Sequence, residues 1–210
     1  MRAGSLQVLL WERALEPDAH RWSLPGGRLR PDEDIEQSIK RQLAEKVDVR
    51  QLSHVEQLAV FSAPDRVPGP RVVASAFLGL VPADNDPAVP DDTRWHPVDS
   101  LPPTAFDHEL IVRRARDRLR SKLSYTNIGF ALAPPVFAIS ALRGLYSAAL
   151  GYRVSATNLQ RVLSRRGLLE ATGETAQPGR AGGRPAALFS FAERSMVVTD
   201  PFAVLRPPTR

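Results

Sequence analysis

Hydrophobic and polar positions divide the chain into short apolar runs and longer helical stripes. "LQVLLWER" (6–13) is an apolar run that ends in charge, the pattern of a buried strand. "HVEQLAVFSAP" and "RVVASAFLGLVP" predict two further strands, joined by the turn-forming "DRVPGP". "TRWHPV" predicts a short fourth one. Between the first and second runs, Ile35, Ile39, Leu43 and Val47 recur at i, i+4, i+8 and i+12. That spacing predicts a helix over 35–47 with one core-facing stripe, capped by Asp34 or Asp32. "PDAHRWSLPGG" and the acidic "ADNDPAVPDD" read as loops. "HELIVRRARDRLRSKL" predicts a basic helix that turns Leu110, Ala115, Leu119 and Leu123 inward and most of its arginines outward. Strands and helices are thus mixed in the first half.

The second half carries two helical patterns separated by "GYRVS". In the first, Leu142, Leu145, Tyr146 and Ala149 follow i, i+3, i+4, i+7, and Gly151 stands where a helix stops. In the second, Ser155 is placed as N-cap, and Leu159, Val162 and Leu163 face inward. Thr157, Asn158, Gln160, Arg161, Ser164 and Arg165 are left outside. Such side chains read a major groove: Arg pairs with guanine edges, Asn and Gln with adenine, Ser and Thr with phosphate. A Gly-rich loop, "TAQPGRAGGRP", then leads into the alternating strand "AALFSF". Helix, turn, helix and a β-hairpin make a winged helix-turn-helix. At the wing tip, Arg184 sits between Gly183 and Pro185. A slim tip of this kind fits a minor groove, where arginine meets a focused negative potential. The plainer alternatives are an amphipathic surface helix in a small bundle and an incidental arginine in a loop.

Charge sharpens this division. Residues 1–111 hold 12 Arg and Lys against 18 Asp and Glu, and residues 112–210 hold 16 against 5. The balances, −6 and +11, sum to the net +5. A basic second half fits a polyanionic partner, although basic surfaces are often merely solvated. At 210 residues the chain fits one large or two small domains, at roughly 100–200 residues per domain. Cysteine is absent, which excludes disulfides and Cys-based metal sites. No apolar run nears the ~20 residues of a bilayer-spanning helix, and "MRAGSLQVLL" lacks the marks of an export signal. No membrane partner is expected, and the cytoplasm is the expected location.

The stretch 26–49, "GGRLRPDEDIEQSIKRQLAEKVDV", bears on chemistry. Carboxylates on a loop and the following helix are how proteins hold Mg²⁺ against a pyrophosphate, since hard cations take oxygen ligands. Positions 42, 45 and 46 are spaced i, i+3, i+4 and share a helix face. Three acids there, with Glu33, would make a metal site. This chain keeps Glu33 and Glu45 but has Gln42 and Lys46, leaving a local charge sum near −1. Mg²⁺ binding is expected to be poor and catalysis lost. Lys46, in place of a ligand, has the charge to neutralise a pyrophosphate directly; equally, it fits a solvent-facing residue at a drifted site. Arg41 and Glu45 fit a bracing pair for the loop, or a surface i,i+4 salt bridge contributing ~0.3–0.5 kcal/mol.

The segment resembles the Nudix box, G-x5-E-x7-R-E-U-x-E-E-x-G-U, with U a bulky aliphatic. Gly27, Glu33, Arg41, Leu43 and Glu45 match it, while Gln42, Lys46 and Asp48 depart from it. With "SYTNIGFALAPPVF", "LRGLYSAALG" and "GRPAALFSF", nearly the whole chain resembles the NrtR family, the Nudix-related transcriptional regulators of bacterial NAD metabolism. The resemblance implies an N-terminal Nudix-like α/β/α sandwich over 1–105 and a basic linker helix and connection over 106–130. A winged helix-turn-helix domain would occupy 131–210. It implies a homodimeric repressor on a palindromic operator near genes of NAD synthesis or salvage. ADP-ribose or a related nucleotide would bind the Nudix-like pocket as effector and release the DNA, with no cofactor or metal required.

Gly26, Gly27, Arg28, Glu33, Arg41, Glu45 and Lys46 are the expected pocket residues, and Trp22 is either a stacking surface or core. Ser155, Thr157, Asn158, Gln160, Arg161, Arg165 and Arg184 are the expected DNA contacts. The four histidines are scattered without ligand spacing, and His108 is expected to be structural, linking domains. Family members usually begin with one more strand, so an upstream start or a reduced first sheet is expected. Two other readings stand against the repressor. One is an active Nudix pyrophosphohydrolase with a nucleic-acid-binding C-terminal domain. The other is an RNA-binding Nudix protein, disfavoured because an A-form major groove is too narrow for a helix.

Overall fold

The computed structural model describes residues 4–85, 87–176 and 185–200. The chain divides into two compact units. One comprises Leu6–Gly79 and Asn85–Arg116, the other Met1–Ser5, Leu80–Asp84 and Asp117–Arg210.

In chain order, the first unit contains β1 (Gln7–Glu12), β2 (Trp22–Ser23), α1 (Ile35–Val47), β3 (His54–Phe61), β4 (Ala74–Leu80), β5 (Thr93–Pro97) and the start of α2 (His108–Tyr125). β1 is the middle of an antiparallel sheet, β2-β1-β5, with Trp11 opposite Ser23 and Leu9 opposite Trp95. β3 and β4 pair as a second sheet. The strands expected at 6–13, 54–64, 71–82 and 93–98 are all present, although β4 begins only at Ala74. Val72 and Val73 lie ahead of it, exposed. β2 lies inside a stretch expected to be loop. It has only two residues, too few to show a period, and it is fixed by backbone bonds: Trp22 N–H donates to Pro103 O (3.1 Å), and Ala105 N–H donates to Trp22 O (2.8 Å).

α1 has the expected span, and Asp34 is its cap. Asp34 accepts from Gln37 N–H while the Gln37 side chain accepts from Asp34 N–H, a reciprocal capping box. The expected apolar stripe is fully buried only at Val47, however, and shares the buried face with polar residues. Ser38, Gln42 and Val47 are buried, Ile39 and Leu43 only half-buried, and Ile35 is exposed. Polar residues tolerate that face because their hydrogen bonds are met within it, as described below. In α2 Leu119 and Leu123 are buried as expected, and the departure is confined to its first turn. Leu110 is exposed, while Ile111 packs with Leu58 and Phe61, and Ala115 covers that cluster.

The second unit contains the end of α2, a 3-10 turn (Ile128–Ala131), β6 (Phe137–Ala138), α3 (Ile139–Leu150), α4 (Ala156–Arg165), β7 (Leu169–Thr175) and β8 (Ala187–Phe191). Its sheet runs β6-β8-β7, all antiparallel. The helix pair and the β7–β8 hairpin form the expected winged helix; β6, again two residues long, was not predicted. Leu142, Leu145, Tyr146, Ala149, Leu159 and Leu163 are buried as their spacing requires, whereas Val162 is half-buried. Gly151 ends α3 at φ 80°, and a Cβ there would meet the Arg120 guanidinium at 2.5 Å. Arg120 in turn donates to Ala149 O (3.1 Å), placing a cation at the negative end of the helix.

Thr126–Ala133 forms the densest part of this unit's core. Asn127, 1% exposed, donates to Glu193 O (3.2 Å) and Ser195 O (2.8 Å) and accepts from Val197 N–H (2.7 Å). It thereby ties residues 193–197 to the start of the winged helix. Among the described residues, no helix is long and apolar enough to cross a membrane. Asn127→Ala removes three buried hydrogen bonds at once. The expected loss is about 2–3 kcal/mol, read as faster hydrogen exchange in peptides from 126–133 and 193–199. Unchanged protection would show that the side chain does not hold this segment.

Candidate nucleotide pocket and nucleic-acid interface

The box loop is fastened to α1 by one guanidinium. Arg41 Nε donates to Glu33 Oε2 at 2.7 Å, and its Nη2 donates to Glu33 Oε1. Nη1 donates to Glu45 Oε2 (3.0 Å), and Nη2 also reaches the Arg28 carbonyl (3.3 Å). Glu33 accepts a further bond from Arg30 N–H (2.9 Å), and Arg30 Nη2 lies 3.4 Å from Glu45. The Arg41 hydrogen bonds hold the Glu33 carboxyl down to about 2, against partial burial. The same pairing raises the Arg41 pKa. Both retained acids are therefore already engaged by a cation.

Gln42 sits beneath this clamp, 8% exposed. With its amide turned to satisfy both neighbours, it donates to Gly26 O (3.3 Å) and accepts from Arg41 (3.2 Å). A Cβ on Gly27 would lie 2.3 Å from the end of the Gln42 amide, so any other residue there would displace that side chain. Gly26 is different: a Cβ there would meet nothing within 4 Å. The missing side chain at 26 leaves open space beside the loop.

Lys46 is placed against an aromatic ring. Its ammonium stands 4.7 Å from the centre of the Trp11 ring. The Trp11 indole N–H donates to Leu24 O (3.2 Å), which places ring and lysine beside the approach to the glycine pair. Burial, then the charge of Arg13, depress the Lys46 pKa. Trp22 packs edge-on against His96, ring centres 4.2 Å apart, and is half-buried. Among the described residues, no group of three or more His, Asp or Glu is placed to hold a metal ion.

His108 holds the other end of the loop. Leu24 N–H, which can only donate, lies 3.0 Å from Nδ1, so Nδ1 is the acceptor and the ring proton is on Nε2. The Ser23 hydroxyl reaches the same nitrogen at 3.1 Å. Burial lowers the His108 pKa to about 4. The first residue of α2 is thus hydrogen-bonded to the strand that leads into the box.

The winged helix presents a second candidate surface. Ser155 caps α4, its oxygen accepting from Asn158 N–H (3.4 Å). Thr157, Asn158, Arg161, Ser164 and Arg165 are exposed, while Gln160 is half-buried. Arg161 donates to Asn158 Oδ1 (2.9 Å), so the two are presented as a pair. Arg184 lies outside the described residues. Sequence reasoning passed over Tyr152, 63% exposed, and Arg153 in the turn between α3 and α4. "GYRVS" was read as punctuation only, although an exposed Tyr-Arg pair was legible there. It also missed Trp11, whose contact with Lys46 depends on a strand pairing that local spacing does not reveal.

Comparison with known proteins finds a match for each half of the chain. Residues 1–115 match the family model of the NUDIX domain, and residues 129–191 match that of the NrtR DNA-binding winged helix domain. The chain is 30% identical over 196 residues to the ADPR responsive transcriptional repressor NtrR of Acinetobacter baylyi. That alignment spans 90% of this chain and 77% of the relative. The structure is similar to Shewanella oneidensis NrtR complexed with a 27mer DNA, with a TM-score of 0.76 and 30% identity. That match covers 91% of this chain and 89% of the other. It is also similar to the NUDIX domain of the same Shewanella protein complexed with ADP ribose, with a TM-score of 0.50 and 32% identity. There the coverage is 55% of this chain and 79% of that one.

The His108 contact makes a pH prediction. The folded state favours the neutral ring, so its contribution is complete above the ordinary value of 6.5 and is lost as pH falls through about 4. Glu33 acts lower, between its ordinary 4.5 and about 2. Thermal melts of the wild type are expected to drop between pH 6.5 and pH 4.5. His96, also lowered by burial, adds to that drop, so the comparison is with His108→Ala. The variant should melt lower at pH 7 and show a shallower fall; an identical slope would remove His108 from the account.

Proposed function

The chain belongs to the NrtR family of Nudix-related transcriptional regulators, and on that premise we propose that it is an ADP-ribose-responsive transcriptional repressor. Its winged helix binds operator DNA, and its Nudix domain binds the effector. The observation that carries this reading is the joining, in one chain, of an exposed Thr157–Asn158–Arg161–Arg165 face on α4 with a box whose two acids are held by Arg41. Residues 1–105 form the sensing part, 106–130 the connection and 131–210 the DNA-binding part. The regulated genes are those of NAD synthesis or salvage.

The repressor acts as a homodimer, because a palindromic operator needs two winged helices about one helical turn, roughly 34–36 Å, apart. Gly26, Gly27, Arg28, Glu33, Arg41, Glu45 and Lys46 line the effector site. Ser155, Thr157, Asn158, Gln160, Arg161, Arg165 and Arg184 contact DNA, with phosphate contacts from Arg153 and Tyr152 in the adjoining turn. ADP-ribose releases the DNA only if it favours a conformation with weaker operator affinity. The domain does not hydrolyse its nucleotide. Gln42 has no charge to hold a metal ion, and both remaining acids are hydrogen-bonded to Arg41, so neither is free to hold the metal that would activate a water.

Fluorescence anisotropy on duplex DNA from upstream of NAD-synthesis genes tests this reading, with ADP-ribose titrated at fixed salt. Tight binding that ADP-ribose reverses is the expected result. Arg161→Ala should weaken operator binding by about 1–3 kcal/mol, roughly 5- to 150-fold, and reduce discrimination against random duplex. Equal binding to operator and random DNA, or release of AMP from ADP-ribose when Mg²⁺ is present, would favour the hydrolase instead.

A further inference from the structure

The Nudix box implies a divalent cation between protein and pyrophosphate, and the residues here do not fit one. Glu33 and Glu45 are both hydrogen-bonded to Arg41, at 2.7 and 3.0 Å. Gln42 is buried, with its amide turned onto Gly26 and Arg41. A cation placed among these groups would have to displace a guanidinium from its two carboxylates.

The structure supplies a positive charge by another route. Resting on the effector reading above, we propose that Lys46 takes the place of that cation, so that this chain binds a nucleotide diphosphate without metal. Four observations carry this. Lys46 is half-buried on α1, one turn beyond Gln42 and on the same face. A long cationic side chain ordinarily carries its head out to water; here the ammonium stands over the Trp11 ring. The neighbouring carboxylate, Glu45, gives one oxygen to Arg41 and the other to Arg30, which leaves Lys46 without a hydrogen-bonded acid among the described residues. Trp11 is tied by its indole N–H to Leu24 O, just ahead of Gly26, where the absent side chain leaves open space.

A desolvated ammonium next to Arg13 and Arg41 has weak competition from water and a strong attraction for an anion. Its depressed pKa reports the same desolvation and the same neighbouring cations. Trp11 stabilises the charge through its ring face while donating nothing that a phosphate could use, so the three N–H donors of Lys46 are free for phosphate oxygens. A diphosphate presents two adjacent anionic groups, the ligand class that a metal ion would otherwise bridge at this position of the box.

Isothermal titration of ADP-ribose into the full-length protein, in EDTA and in Mg²⁺, separates the cases. The wild type should bind with the same affinity in both buffers. Lys46→Glu restores a carboxylate to the box. It is expected to lose about tenfold or more in EDTA, the loss of one charge-assisted hydrogen bond, and to recover in Mg²⁺. Lys46→Gln, which stays polar and unbranched at Cβ and brings neither charge, should lose affinity in both buffers without rescue. This variant also guards against a folding defect in the acidic one, with thermal melts as the check. A wild type that needs Mg²⁺, or variants that bind in EDTA as the wild type does, would overturn the proposal and leave the effector reading intact. No ADP-ribose binding by the wild type in either buffer would overturn the effector reading, and the proposal with it.

Discussion

The Arg41 guanidinium fixes the geometry of the whole box. It spans from α1 to the loop, engaging Glu33 on one side, Glu45 along the helix and the Arg28 carbonyl above. Closing the loop onto α1 in this way presses Gly27 against Gln42 so tightly that any other residue at 27 would displace the amide. It also decides the electrostatics. Two carboxylates that would be free acids in a metal-binding helix are here both hydrogen-bonded to a guanidinium, and Lys46 stands nearby with its ammonium over Trp11. The loop's shape and the engagement of its two acids therefore follow from a single ion-pair network.

A second constraint holds the loop from the other end. Trp11, Ser23 and Leu24 are brought together by the β1–β2 pairing, in which Trp11 lies opposite Ser23. Leu24 then gives its carbonyl to Trp11 and its N–H to His108. The residue that precedes Pro25 and the glycine pair is thus held on one side by the strand that carries Lys46's aromatic platform, and on the other by the first residue of α2. A change in the box that moves Leu24 necessarily disturbs a hydrogen bond at the start of that helix. This is a local, physical link between ligand site and α2, and it requires a neutral imidazole to persist.

Much of this was legible in the sequence because it is written in periods and spacings. β1, β3, β4 and β5 showed as apolar runs, and the helix pair of the winged helix as i, i+3, i+4, i+7 stripes with Ser155 and Gly151 at their ends. Glu33, Arg41 and Glu45 were found together because loop-helix spacing fixes them locally. What was illegible is non-local or too short for a period. β2 and β6 have two residues each. The buried polar face of α1 contradicted hydrophobic patterning because Ser38 and Gln42 are buried against a loop whose hydrogen bonds satisfy them. The Lys46–Trp11 contact joins residues 35 positions apart in sequence through strand pairing. Asn127 gave no signal at all, since a buried hub of backbone hydrogen bonds looks like any other asparagine in a loop.

The substitutions at 42 and 46 become intelligible when binding and catalysis are separated. An enzyme must stabilise the transition state more than the bound substrate, and a metal ion does so by activating water and by meeting charge that develops during cleavage. A sensor needs only to favour one conformation when the ground-state ligand is bound, and it must leave that ligand intact. A fixed ammonium satisfies the second requirement and fails the first: it meets the existing charge of a diphosphate but offers no water to attack it. A buried amide at 42 serves the sensor again, since it stiffens the loop that surrounds the ligand where an acid would have called for a metal. On the proposed reading, Gln42 and Lys46 in place of two acids would convert a box from one kind of complementarity to the other while leaving the Arg41 clamp in place.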